Sequence, residues 1–143
     1  MLKKFFKKKE KENKNLDGKN ILIIALLIHA AKIDENYTEN EKKIIKKVIM
    51  DLNKINSDEA YKLLELAEKK EEESNQIIEF TKEIKKYPNE FKLKIVEIIW
   101  KIVYSDGTLD SYESTLIRRI CGLLYVSDKD NGIIKTKVQN LLK

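Results

Sequence analysis

The sequence predicts an all-α domain, a compact bundle of about seven helices containing two pseudo-repeated helix–acidic turn–helix units. Three observations predict it. Among 143 residues there are only four Gly and one Pro, while Lys, Glu, Ile and Leu abound, a balance that favours helices over a turn-rich β fold. Apolar residues recur at three- and four-residue spacings between recognisable caps. No segment shows the strict alternation of a half-buried strand. The length suits one domain that buries roughly two-thirds of its unfolded surface.

The first helix is expected over about 20–33, where residues 21–31 are apolar except for His29. Thr38-Glu39-Asn40-Glu41 has the form of a capping box and opens a second helix that runs to about 53. Asn56, with Glu59 three residues on, starts a third helix carrying Tyr61, Leu64 and Ala67 on one face and ending in a solvated Glu71-Glu72-Glu73 run. Ser74 is the expected cap of a fourth, bearing Ile77, Ile78, Phe80 and Ile84, which stops before Pro88. The fifth, about 89–105, shows the strongest periodicity: Phe91, Ile95, Ile98, Ile99 and Ile102, widened by Val96 and Val103. Leu116, Ile120, Leu123 and Leu124 form the apolar face of a sixth helix, from Asp110 to about 125. Ser127 and Asp130 mark the start of a last helix through Ile133, Ile134, Val138, Leu141 and Leu142.

The formal net charge is +5, and its location matters more than its size. Residues 1–20 hold eight lysines against three acids, which leaves 21 basic and 21 acidic residues in 21–143. The chain therefore divides into a basic amphipathic or disordered tail, 1–19, and a charge-neutral helical domain, 20–143. In the tail, Leu2, Phe5 and Phe6 fall at i, i+3 and i+4 among Lys3, Lys4, Lys7, Lys8 and Lys9. Wound as a helix, this segment sets three apolar groups on one face with cations around them, a pattern suited to an anionic membrane surface. A solubilising tail is the alternative. Nucleic acid is disfavoured, because the domain carries no basic excess and the tail no Arg.

Other classes are excluded more firmly. An eleven-residue apolar run falls short of the roughly 20 residues a membrane-spanning helix needs. No small-residue cleavage site follows it, which argues against an export signal. The single cysteine, Cys121, excludes an internal disulfide framework and a multi-cysteine zinc site. Leu2 stands where myristoylation requires Gly. No phosphate loop or nucleophile elbow is present.

Shifting the chain by 72 residues lays Asp34-Glu35-Asn36-Tyr37-Thr38-Glu39-Asn40-Glu41 over Asp106-Gly107-Thr108-Leu109-Asp110-Ser111-Tyr112-Glu113. Each has an Asp, a capping-type residue (Thr38 or Asp110) and a Glu seven residues after the Asp. The match continues through Ile44/Leu116, Ile45/Ile117, Lys46/Arg118, Lys47/Arg119 and Val48/Ile120. Capping explains most of this, but not the leading aspartates Asp34 and Asp106. The other reading is a hard-cation site: Asp106, Thr108, Asp110 and Glu113 present oxygens that suit Ca²⁺ or Mg²⁺, with Asp34, Asn36, Thr38 and Glu41 as the counterpart set. Neither is an EF-hand, since the Glu closes the motif at the eighth position, not the twelfth.

On these residues the chain resembles the TerB-like domain family, which includes tellurite-resistance-associated proteins and the domain preceding the J-domain in DjlA-type co-chaperones. The resemblance is carried by Val103-Tyr104-Ser105-Asp106-Gly107-Thr108-Leu109-Asp110-Ser111-Tyr112-Glu113, then Leu116-Ile117-Arg118-Arg119-Ile120 and Leu123-Leu124-Tyr125-Val126-Ser127-Asp128. It covers about 20–143, and Glu35 departs from the Gly expected after the first Asp. It implies a compact helical fold, acidic turns that chelate a divalent cation, and roles in stress response and membrane-linked complexes. By motif position, Asp106 and Glu113 are the leading ligand candidates, partnered by Asp34 and Glu41. No His-Pro-Asp triplet is present, so no J-domain is expected.

The expected function is a non-enzymatic binding module of the bacterial cytoplasm, dependent on Ca²⁺ or Mg²⁺, with an unidentified protein partner and peripheral attachment to the inner membrane. The alternatives are a metal-dependent hydrolase using the clustered acids and a purely structural scaffold. His29 reads as a partly buried or capping histidine and Cys121 as a small core residue. Trp100, Tyr104 and Tyr125 edge either the core or a partner groove.

Overall fold

The structure, a computed structural model, describes residues 21–33, 37–74, 76–105 and 111–141, the side chains of 111 and 112 excepted. Seven helices and no strand are present among the described residues. They are α1 (21–31), α2 (Glu39–Asn53), α3 (Ser57–Glu73), α4 (Ile78–Ile84), α5 (Asn89–Tyr104), α6 (Ser111–Leu124) and α7 (Asp128–Leu141).

Helix α1 is the centre of the bundle. Ile23, Ile24, Ala25, Leu26, Leu27 and Ile28 are consecutive and all buried, so every face of the helix is covered. A helix apolar all round has no solvent side to offer and is stable only when enclosed. Around it, α2 packs mainly on α3, α5 on α7, and α4 on α6. Helix α5 contributes Ile95, Val96, Ile99, Trp100, Ile102 and Val103 to the core and also touches α2 and α6.

The helix starts follow from local chemistry. Thr38 Oγ1 accepts from the Glu41 N–H at 3.1 Å, and the Thr38 N–H donates to Glu41 Oε1 at 2.8 Å, completing the capping box. Asn56 Oδ1 accepts from the Glu59 N–H at 2.9 Å, and Ser127 Oγ from the Asp130 N–H at 3.1 Å. The ends of α2 and α6 use the two non-glycine residues with positive φ among those described, Lys54 at 53° and Tyr125 at 61°. At α6, Val126 N–H bonds Cys121 O at 2.8 Å and Tyr125 N–H bonds Gly122 O at 3.3 Å, which is the Schellman pattern with Tyr where Gly is usual.

The structure corrects four expectations. Ser74 does not cap α4: that helix begins after Ile77 without a side-chain cap, and Ser74 Oγ donates to Glu79 Oε2 at 2.9 Å instead. Tyr61 is exposed, and Ala60 joins Leu64 and Ala67 on the buried face of α3. The Glu71-Glu72-Glu73 run is not uniformly solvated, because Glu71 is nearly buried between His29 of α1 and Lys32 just beyond it. Helix α7 buries Val138 but exposes Ile133 and Leu141. In the last three cases the neighbour packed on that turn, and not the helical period, decides exposure. The tail residues Leu2, Lys3, Lys4, Phe5, Phe6, Lys7, Lys8 and Lys9 lie outside the described residues.

Candidate acidic-turn site

The first acidic turn joins α1 to α2. Of its sequence-proposed members, Thr38 and Glu41 are described, while Asp34 and Asn36 lie outside the described residues. Glu41 is only 2% exposed, an unusual place for a carboxylate. Part of the cost of removing it from water is met by the Thr38 N–H, which satisfies one of its oxygens.

Around this turn, charges from distant segments of the chain come together. His29 Nδ1 lies 3.2 Å from Glu71 Oε1, and Lys32 Nζ lies 2.9 Å from Glu71 Oε2, so one carboxylate of α3 holds two basic groups at the α1 end. Lys32 also approaches Glu72 at 4.0 Å. The Tyr37 ring sits under Lys42 and Lys32, 4.9 and 5.9 Å from its centroid, and its hydroxyl donates to Glu68 Oε1 at 3.5 Å. Burial first, and the neighbouring Glu68 carboxylate next, push the Tyr37 phenol well above its usual range, so it remains a donor at any physiological pH. The flanks of the turn are thereby tied to the far half of α3.

The second acidic turn joins α5 to α6. Asp106, Thr108 and Asp110 lie outside the described residues, and Glu113 is described. It is the third residue of α6, as Glu41 is the third of α2, and it too is buried, at 6% exposure. The two glutamates enter from helices that share α5 as a neighbour. Among the described residues no three His, Cys, Asp or Glu side chains converge as a metal group. The donor set written into the two turns is carboxylate, hydroxyl and amide oxygen, which is the chemistry of Ca²⁺ and Mg²⁺ and not of zinc or copper.

His29 is part-buried, as the sequence suggested, and it pairs with Glu71, which the sequence did not indicate. Cys121 is 1% exposed, and burial, reinforced by the Asp128 charge, pushes its thiol up to about 12. A thiol that keeps its proton at neutral pH is a core residue and not a nucleophile. Trp100 belongs to the core at 1% exposure, stacked on Tyr104 with ring centroids 5.5 Å apart. Sequence reasoning missed the Trp100 Nε1 bond to Asn131 Oδ1 (2.8 Å) and the Glu97–Lys137 pair (3.0 Å), both of which fasten α7 to α5. No local signal could have found them, because the partners stand 31 and 40 positions apart in the chain.

An all-helical domain with a buried glutamate at the third position of two helices, each preceded by an acidic turn, is the class of protein that this arrangement defines. The family model described as tellurite resistance protein TerB matches residues 20–136, and the chain belongs to that family. No curated protein and no solved structure matches it.

Proposed function

We propose that this chain is a non-enzymatic binding and stress-response module of the bacterial cytoplasm. In this reading its two acidic turns hold a divalent cation, Ca²⁺ or Mg²⁺, and its tail attaches it peripherally to the anionic inner membrane. The observation that carries the reading is the paired burial of Glu41 and Glu113 within a chain that matches the TerB family. Buried carboxylates are costly, and cation ligation is one use that offsets the cost. Asp106, Asp110 and Glu113 would serve one turn and Asp34 and Glu41 the other, with Thr108, Asn36 and Thr38 as further oxygens. The cation would supply positive charge that fixes each turn, and with it the angle between the joined helices and the surface shown to a protein partner.

A cation-dependent thermal shift tests this. Ca²⁺ or Mg²⁺ at about 100 times its Kd is expected to raise the Tm of the parent by on the order of 5–10 °C, and that of Asp34→Ala/Asp106→Ala far less. Equal shifts in both proteins would show that the aspartates are not ligands. No shift in either leaves the capping box as the whole explanation of the turn, which is the scaffold reading.

For the tail, the supporting pattern is Leu2, Phe5 and Phe6 interleaved with five lysines in residues 2–9. No described helix is long and apolar enough to cross a membrane, so attachment would be at the surface. Flotation on vesicles rich in phosphatidylglycerol is expected for the full chain at low salt. It should be lost on deleting residues 1–12 or on raising the salt, since headgroup attraction is screened. Equal flotation of both chains would sink the membrane proposal.

A further inference from the structure

A groove of about 450 Å³ lies between α6 and α7; its Ser114 directly follows Glu113 in the chain, but none of its lining residues is used by the proposed function. One wall is Ser114 and Arg118, a single helical turn apart on α6. The other is Asp128, Asn131, Gly132 and Lys135, which share one face of α7 at i, i+3, i+4 and i+7. Trp100 of α5 reaches it from the core.

Three features make this more than a seam between helices. First, the Asn131 amide has a fixed orientation. The indole N–H is a donor only, so the atom 2.8 Å from it is the amide oxygen, and the NH₂ group is left for the groove. Second, neither Arg118 nor Lys135 has a carboxylate within 4.0 Å among the described residues; the Lys135 ammonium rests 5.4 Å from the Trp100 ring centroid. Third, Gly132 stands in the interior of α7, where Gly is less stable than Ala by roughly 0.5–1 kcal/mol. Packing does not demand it, because a Cβ there would meet nothing within 4 Å. What a larger side chain at Gly132 would occupy is the groove.

The geometry points to a binding site for a small phosphate-bearing ligand in this groove. Arg118 offers a planar fork, Lys135 a point charge, and Asn131 and Ser114 neutral donors, which together match the several acceptor oxygens of a phosphate group. Asp128 opposes the two cations and leaves the lining with a single net positive charge, so affinity for the bare ion is weak and rises when that carboxylate is removed. The volume exceeds that of phosphate alone and leaves room for the group that carries it.

Trp100 is the protein's one tryptophan and lines the groove from the core, so its fluorescence and its indole N–H resonance give a single-site probe there. The full chain is titrated with inorganic phosphate and with glycerol phosphate, with sodium chloride at matched ionic strength as control. A saturable change with the phosphates and none with chloride is expected, tighter for the ester than for the free ion. Arg118→Gln/Lys135→Gln should weaken binding at least tenfold, Gly132→Leu should abolish it, and Asp128→Asn should tighten it severalfold. The gain in Asp128→Asn cannot arise from misfolding, and circular dichroism checks the other variants. The site is refuted by any of three results: no saturable change, the same change with chloride, or a double variant that titrates like the parent.

Discussion

Trp100→Ala is expected to lower the unfolding free energy by about 3–5 kcal/mol, read as a drop in the denaturation midpoint by circular dichroism. Trp100 is among the largest fully buried side chains, and its removal leaves a cavity that helices fixed on several sides cannot close. It also strands the Asn131 oxygen, which loses its donor, and the Tyr104 ring, which loses its stacking partner. Trp100→Phe separates the contributions, since it keeps most of the apolar volume but not the N–H, and should cost about 1–3 kcal/mol. A loss below about 1 kcal/mol in Trp100→Ala would mean that α7 is not anchored through this residue.

Leu27→Ala should cost about 2–5 kcal/mol, whereas Leu141→Ala should stay within about 0.5 kcal/mol. Both are leucines on apolar helical faces, and the sequence pattern places both among core positions. Leu27 is fully buried on a helix enclosed all round; Leu141 is 63% exposed near the end of α7. Chemical denaturation of the two variants in parallel decides the matter, and similar losses would show that α7 is covered by something the isolated chain already contains.

The helices were legible because their signals are local. The Thr38/Glu41 box, the Asn56 cap and the Ser127 cap each involve residues three apart, and every one forms as the sequence indicates. Ser74 failed as a cap for an equally physical reason. Helix α4 enters through a turn at Ile77 with αR backbone, so there is no extended residue from which a side chain could reach back to the first N–H groups. Helix α7 read as more buried than it is, since periodicity marks which residues share a face and not how much of that face a neighbour covers.

The acidic turns were legible as a repeated motif, yet the burial of Glu41 and Glu113 was not. Both positions look like ordinary first-turn glutamates, which normally face water. The Glu71 pairing with His29 and Lys32 and the Asn131 bond to Trp100 were also invisible, because side chains from distant segments meet only after the helices pack.

Composition and local spacing are enough to read that the chain is all-helical, where α2, α3 and α7 begin, that its positive charge sits in the first twenty residues, and that its motifs are those of the TerB family. All of these follow from spacings of a few residues and from composition. Only the tertiary structure decided that α1 is enclosed on every side, that the two closing glutamates are buried, and that Arg118 and Lys135 face one groove across Gly132. Those facts depend on which helix lies against which, and helix packing is set by the summed fit of many side chains that no local pattern encodes.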